Sequence, residues 1–167
     1  MKTKIEWTDA TINPTMGCSV ISAGCSNCYA MKMAHRLQAM GVKDYEGTTK
    51  KLKSGQIVWT GEINFNIDKM NVALKTKKPT MYFIDSMSDL FHEKIPFEII
   101  DKCFDIMVTR PQHIYQILTK RPDRLLEYCE YQSEELYSAG YDKINGWAFN
   151  IPSHIWMGTS VENQQTA

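Results

Sequence analysis

The sequence lacks an excess of charge of either sign: its 167 residues include 19 Lys and Arg against 19 Asp and Glu, so the formal net charge is +0. This balance excludes the bulk positive field on which nonspecific nucleic-acid binding usually depends, and leaves only local basic groups for such contacts. No apolar run reaches the roughly 18 residues that span a bilayer, and the segment Met1 to Trp7 has no signal-peptide core. These absences predict a cytoplasmic protein without membrane association.

Glycine and proline are few, with 9 and 6 residues, while 43% of the residues are hydrophobic. This composition excludes collagen and disorder, and without an internal repeat the chain is not a solenoid. A single domain over 1–167 is expected at this length. The five cysteines are an odd number, and three of them, Cys18, Cys25 and Cys28, lie close together. In a reducing compartment such a cluster is typical of a metal or redox site.

The order of apolar and polar residues predicts strands alternating with amphipathic helices, which is typical of βα units and a parallel sheet. We expect strands at 11–13, 62–65, 80–84, 113–118 and 155–159, and helices at 29–40 and 68–74. Two more helices are expected after Pro96 and Pro122. The segment 44–61 resembles a small hairpin that turns at Ser54 and Gly55, and 131–154 resembles an irregular insertion.

These elements make about five βα units, and the last unit lacks its helix. The predicted fold class is therefore α/β, a partial (β/α) barrel with mostly parallel strands. Because a closed eight-stranded barrel takes about 250 residues, we expect the barrel to be truncated at the C-terminus.

Six residues separate Cys18 from Cys25, and two separate Cys25 from Cys28. Thiolates are soft ligands for iron–sulfur clusters and zinc, and three of them on a [4Fe–4S] cluster leave one iron open to another ligand. A closed zinc site completed by His35 is the alternative, and a site without metal is a third reading. Cys103 and Cys129 lie on apolar helical faces and are expected to be buried.

Polar residues follow the last three predicted strands: Ser86, Ser88, Asp89 and His92; Thr119, Lys120 and Arg121; Ser160, Glu162 and Asn163. The carboxyl ends of parallel strands meet at one edge, where ligands bind. Carboxylates and amides can bind a ribose or an adenine edge, and the Lys-Arg pair can bind a carboxylate or phosphate. The alternative is that these side chains only cap the helices that follow.

Several ordered blocks are distinctive: Trp7-Thr8-Asp9-Ala10, Asn13-Pro14, Gly17-Cys18, Gly24-Cys25-Ser26-Asn27-Cys28-Tyr29-Ala30, Ser86-Met87-Ser88-Asp89-Leu90-Phe91-His92, Leu118-Thr119-Lys120-Arg121-Pro122 and Ser160-Val161-Glu162-Asn163. The sequence resembles the phage-associated family named after phage gene products thirty-seven and sixty-eight. That family in turn resembles the radical S-adenosylmethionine superfamily. The superfamily pattern is C-x3-C-x2-C with an aromatic residue beside the last cysteine, and Cys25, Cys28 and Tyr29 match it. The first gap is longer here, and no Gly-Gly-Glu motif follows the second predicted strand.

The resemblance implies that Cys18, Cys25 and Cys28 hold a [4Fe–4S] cluster whose fourth iron is chelated by S-adenosylmethionine. An electron from the cluster would cleave the sulfonium and release a 5′-deoxyadenosyl radical that attacks an unknown substrate. Tyr29 and the strand-end residues would contact the cofactor, a reductant protein would supply the electron, and the protein would act in the cytoplasm of a bacterial host. The alternative function is a noncatalytic, zinc-stabilised (Zn2+) binding module for a host or phage macromolecule. Short basic groups around Lys50, Lys75 and Lys120 are compatible with nucleic acid, but the balanced charge favours a solvated surface.

Overall fold

The computed structural model describes residues 3–140 and 150–161, which form eight short strands and four α-helices. The strands are β1 (Ala10–Ile12), β2 (Thr15–Met16), β3 (Thr49–Lys51), β4 (Ile57–Trp59), β5 (Asn64–Phe65), β6 (Met81–Ile84), β7 (Ile114–Thr119) and β8 (Ile155–Thr159). The helices are α1 (Tyr29–Ala39), α2 (Asn71–Lys75), α3 (Phe97–Val108) and α4 (Pro122–Ser138). Short 3-10 turns at Ala23–Asn27, Lys43–Tyr45 and Ile67–Met70 connect some of these elements.

A parallel sheet in the order β1-β6-β7-β8 forms the centre of the structure. Ile12 pairs with Ile84, and Ile84 pairs with Ile117 of the next strand. Because all four strands run in one direction, the loops that follow them gather at a single edge. The predicted α/β class with parallel strands is confirmed, and strands β6, β7 and β8 lie within one residue of their predicted positions.

The count of five strands in this sheet is wrong, because the structure places four there among the residues it describes. In the segment 62–65 only Asn64 and Phe65 form a strand, and they pair antiparallel with β2. The side-chain amide of Asn64 donates to the backbone carbonyls of Asp44 and Glu46, which holds β5 beside the hairpin segment. Two residues with no buried side chain cannot supply a central strand of a sheet.

One face of the sheet is buried against the helices that follow its strands. Tyr82, Ile84, Tyr115 and Ile117 point to this face, where α3 presents Ile100, Cys103, Phe104 and Met107. The alternation of side chains along a strand sends Phe83, Gln116, Leu118 and Trp156 to the opposite face. On that face the Trp7 ring packs on Phe83, with 4.8 Å between ring centroids.

A second, smaller core lies under α1 and the antiparallel hairpin of β3 and β4. Its buried residues are Met16, Ala30, Met31, Ala34, Tyr45, Trp59 and Met87. Cys18 and Cys28 are partly buried against this second core. The hairpin was predicted from the sequence, and its turn contains Ser54 and Gly55 as expected.

The long helix α4 differs from its prediction, since it continues to Ser138 where an irregular segment was expected from residue 131. Tyr128 is buried, and Tyr131 packs beside it at the edge of the main core, so the apolar face continues for another turn. Residues 141–149 of the predicted insertion lie outside the described residues. Pro122 occupies the first turn as predicted, whereas Pro96 lies just before α3, as its N-cap. No helix within 3–140 or 150–161 has both the length and the hydropathy to cross a membrane.

Gly17, the residue after β2, has a backbone conformation that only glycine adopts easily, with φ at +100°. A Cβ atom at this position would overlap the carbonyl oxygen of Glu62. We therefore predict that Gly17→Ala lowers the free energy of unfolding by about 3 kcal/mol, measured by urea denaturation.

Gly41→Ala is the matched control, because Gly41 also has a positive φ, +77°, but has no neighbouring atom within 4 Å of the added Cβ. The Gly41→Ala variant has the same kind of backbone strain but no overlap, so its free energy of unfolding should fall by less than that of Gly17→Ala. Equal losses in the two variants would contradict the close approach of Glu62.

Candidate metal and cofactor site

The three clustered cysteines occupy the loop between β2 and α1, close to the carboxyl end of β1. Within this loop the 3-10 turn Ala23–Asn27 is closed by backbone bonds from Cys25 N to Ser22 O, 3.1 Å, and from Cys28 N to Cys25 O, 3.2 Å. The Ser22 hydroxyl and the Cys25 sulfur are 3.2 Å apart. Cys28 is the N-cap residue of α1, so the loop ends where the helix begins.

A cavity of about 580 Å³ lies between this loop and the carboxyl ends of the parallel strands, and Cys18, Cys25 and Cys28 all line it. The aromatic rings of Trp7, Trp59 and Phe83 form part of its remaining wall. The cavity therefore brings thiols and aromatic rings together in one lining.

The thiols differ in how readily they ionise. Burial raises the pKa of Cys18 to about 11 despite the nearby Arg121 guanidinium, and the thiol donates to the Ser19 carbonyl at 3.5 Å. Burial also raises the pKa of Cys25, but bonds from the Ser22 side chain and the backbone, together with the charge of Lys120, outweigh it and lower that pKa overall. Because metals bind the thiolate, Cys18 must lose a proton when it becomes a ligand.

The donor set consists of three thiols, which is the residue type that ligates iron–sulfur clusters. The three cysteines line one cavity, and Arg121 Nη1 lies 3.8 Å from the Cys18 sulfur, where it can offset thiolate charge. In residues 3–140 and 150–161, no three His, Cys, Asp or Glu side chains converge as a group able to hold a metal ion. The three thiols therefore share a cavity without converging on one point.

Most of the residues predicted to bind a cofactor also line this cavity: Tyr29 and the strand-end residues Ser86, Ser88, Asp89, Lys120 and Ser160. Thr119 does not line it, because its buried hydroxyl donates to Asp89 Oδ1 at 2.7 Å. Glu162 and Asn163 lie outside the residues that the structure describes. The structure thus brings six predicted residues and the three cysteines to one place.

The Asp89 carboxylate is bound by other groups of the protein. Its carboxylate accepts hydrogen bonds from the backbone N–H groups of Phe91 and Lys120, both at 3.0 Å, and from the Thr119 hydroxyl. Arg121 Nη1 is 3.0 Å from Asp89 Oδ2, in an ion pair whose two side chains are both more than 90% buried. Asp89 therefore joins the loops after β6 and β7.

Arg121 was expected to offer charge to a ligand, but its guanidinium binds protein groups on several sides. Nε donates to Glu93 Oε2 at 2.9 Å, and Nη2 donates to the Ser19 hydroxyl oxygen at 2.8 Å. Ser19 follows Cys18, so Arg121 connects the strand ends to the cysteine loop. No local pattern indicates this role, since Asp89 and Glu93 lie 32 and 28 residues from Arg121 along the chain.

His92 also supports the cysteine loop. Its buried ring accepts the Lys94 N–H at Nδ1, 3.1 Å, so the neutral ring carries its proton on Nε2. Nε2 is 2.9 Å from the Ser19 hydroxyl oxygen and donates to it. Burial and the charge of Arg121 lower the pKa of His92, which favours this neutral form.

Asp85, the first residue after β6, was not among the predicted site residues. It is buried at the cavity wall with φ at +57°, a left-handed conformation that is uncommon for any residue except glycine. Its carboxylate accepts from the Thr15 N–H at 3.1 Å and from the Thr15 hydroxyl at 3.0 Å. Burial raises its pKa to about 7, more than these hydrogen bonds lower it. The one feature of the sequence that could have indicated Asp85 as a site residue is its position at the end of a strand.

His35, the fourth ligand in the zinc alternative, lies on the side of α1 that contacts the hairpin. Its Nδ1 is 3.1 Å from the Thr49 hydroxyl oxygen, and His35 does not line the cavity. Cys103 is fully buried in the main core as expected, and Cys129 is half-buried on α4.

The raised pKa of Asp85 makes stability depend on pH. Between about pH 4 and pH 7 the folded protein holds a proton that the unfolded chain has lost, so the free energy of unfolding falls as pH rises, by at most about 1.4 kcal/mol per pH unit. We predict that Asp85→Asn, which tolerates the left-handed backbone, removes this contribution. Urea denaturation of both proteins across this pH range measures the free energy of unfolding. The same dependence of that free energy on pH in the variant would contradict burial of an ionisable Asp85.

Comparison with known proteins places the chain in a family. Neither the search of curated proteins nor the search of solved structures returned a match. The model of one family, described as "Protein of unknown function (DUF5131)", matches residues 2–167 and so spans the cavity and all three cysteines. The chain therefore belongs to the DUF5131 family.

Proposed function

We propose that this protein is an iron–sulfur enzyme of radical S-adenosylmethionine type, with Cys18, Cys25 and Cys28 as ligands of a [4Fe–4S] cluster. The observation that carries the proposal is that these cysteines, Tyr29 and five strand-end residues chosen for cofactor contact line the same cavity. The proposal includes a radical-S-adenosylmethionine-like (β/α) barrel, of which the four parallel strands would be a part, and the likeness to the phage gene-product family.

Different residues of the cavity can bind the cluster and S-adenosylmethionine. A bound cluster of this kind supplies single electrons for the reductive cleavage of a sulfonium. Lys120 and Arg121 place positive charge beside the thiols, which offsets the negative charge of a thiolate-ligated cluster. Ser86 and Ser160 supply hydroxyl groups at the strand ends for the polar part of S-adenosylmethionine.

The aromatic side chains that line the cavity suit the adenine part of S-adenosylmethionine. Trp7 and Phe83 pack together at a centroid distance of 4.8 Å, and Leu118 lines the cavity on the same face of the sheet. Flat apolar surfaces of this kind can pack on an adenine ring and exclude water from the reacting end of the cavity. At the rim, the Tyr29 hydroxyl donates to the Ser86 carbonyl at 2.6 Å and fixes the first residue of α1 to the β6 loop.

We predict that protein reconstituted with iron and sulfide under anaerobic conditions is brown and contains about four iron and four sulfide per chain. Cys25→Ala should lose the visible absorption, because Cys25 is an assigned ligand. Cys129→Ser is the matched control, since Cys129 lies on α4 away from the cavity, and should keep the chromophore. Stoichiometric zinc without chromophore would favour the zinc-stabilised module, and a full chromophore in Cys25→Ala would reject the ligand assignment.

We further predict that the cluster-loaded protein, reduced with dithionite, converts S-adenosylmethionine to methionine and 5′-deoxyadenosine. Each cleavage consumes one electron from dithionite, and the adenosyl carbon takes a hydrogen atom from substrate, solvent or buffer. Chromatography of the nucleoside product measures the reaction, with Cys25→Ala as the inactive control. Full cluster content with no 5′-deoxyadenosine would overturn the radical assignment and retain a cluster with another role.

A further inference from the structure

The zero net charge of the chain conceals an uneven distribution. The segment 29–59, which contains α1 and the β3-β4 hairpin, has six Lys or Arg residues and two acidic residues, a formal balance of +4. The rest of the chain therefore carries −4. One of the two acidic residues, Asp44, is 2.7 Å from Lys69 outside the segment, so its charge is already paired.

The six basic side chains are all exposed, and we call them the basic layer: Lys32, Arg36, Lys43, Lys50, Lys51 and Lys53. Within the described ranges, none of the six lies within ion-pair distance of a carboxylate. Lys69, Arg121 and Arg124, by contrast, each pair with an acidic side chain. The charge of the basic layer is thus available to a partner.

The helix and the hairpin form one packed unit, so these charges keep their relative positions. Gln38 Oε1 accepts the Thr49 N–H at 3.2 Å, and Gln38 Nε2 donates to the Thr49 carbonyl at 3.0 Å. Lys32 and Arg36 are four residues apart on α1 and therefore lie on one face of the helix. A partner with regularly repeated negative charge can contact several of these groups together, whereas a small anion contacts one or two.

Aromatic side chains stand where this unit meets the cavity. Tyr29, the first residue of α1, is 58% exposed, whereas Trp59, the last residue of β4, is buried with 8% exposure. Both line the cavity, as does Trp7, which is 47% exposed, so Tyr29 and Trp7 are the accessible rings. A basic surface that leads to accessible aromatic rings is typical of proteins that bind single-stranded nucleic acid, because phosphates meet the cations and bases stack on the rings. Stacking distinguishes this partner from a membrane surface or an acidic peptide.

We propose that the basic layer binds a single-stranded polynucleotide and leads it to the mouth of the cavity. The phosphodiester backbone contacts the lysines of the hairpin and the basic residues of α1, and an unpaired base reaches the aromatic rings at the rim. The proposal does not depend on the proposed function, because binding needs neither cluster nor S-adenosylmethionine.

Fluorescence anisotropy of a labelled single strand of about 20 nucleotides, as DNA and as RNA, tests this binding with the full chain. The triple variant Lys50→Glu, Lys51→Glu, Lys53→Glu should bind at least about tenfold more weakly at about 100 mM salt, and its salt slope should fall by about 2. The matched control is Lys75→Glu, Lys77→Glu, Lys78→Glu. It makes the same charge change at three exposed lysines near the start of β6, at the opposite edge of the sheet from the cavity. The control should bind within about twofold of the unchanged protein.

Circular dichroism and thermal unfolding confirm that both variants are folded, and Lys50→Gln, Lys51→Gln, Lys53→Gln replaces the hairpin variant if it is not. A preference for the single strand over its matched duplex supports the role of the aromatic rim. Equal loss in the hairpin variant and the control would overturn the proposal, since binding would then follow total charge. Absence of binding at about 50 mM salt would also overturn it, as would binding to phosphatidylserine vesicles but not to the oligonucleotide.

Discussion

The ion pair between Asp89 and Arg121 holds together the parts of the molecule that form the cavity. Removing two charges from water is costly, and a buried pair is tolerated only when the remaining donors and acceptors are also satisfied. That condition is met here: two backbone N–H groups and the Thr119 hydroxyl complete the Asp89 shell, while Glu93 and Ser19 engage Arg121. The loops after β6 and β7 and the cysteine loop are therefore fixed to one another by a single polar network.

This network assigns different roles to the polar residues at the strand ends. Asp89, Thr119 and Arg121 bind each other, so they position the site, whereas Ser86, Lys120 and Ser160 remain at the cavity wall. Removing one member of a buried pair commonly costs about 3–5 kcal/mol, because the other charge is left unpaired. The stability of the site and the geometry of its cysteines thus depend on the same contacts.

Local patterns predicted the elements that are fixed by local physics. The apolar spacing after Pro96 and Pro122 predicted α3 and α4, and the apolar runs before the polar clusters predicted β6, β7 and β8. The segment 62–65 was assigned to the wrong sheet because its pairing with β2 is decided by contacts across the fold.

The position of the cavity was partly predictable from the order of strands and polar residues. Parallel strands bring their carboxyl ends together wherever they occur, so polar residues at those ends could be assigned to one site. The partners of a buried side chain carry no such periodic signal. Arg121 was expected to meet a ligand and instead meets Glu93, and His35 was considered as a zinc ligand and instead meets Thr49. The basic group around Lys50 was visible in the sequence, but the balanced total charge favoured a solvated surface, and the packing of the hairpin on α1 was not visible there.

The division of the hydrophobic interior into two cores has a dynamic consequence. Cys18 and Cys28 pack on the small core under α1, whereas the strand ends that face them belong to the sheet core. Separately packed units can open locally at a lower free energy than global unfolding requires. A molecule bound in the cavity would touch both units, and its binding free energy would be added to the stability of their closed arrangement. Ligand occupancy would therefore be coupled to local opening, and a ligand in the cavity would slow amide exchange in the elements of the opening unit.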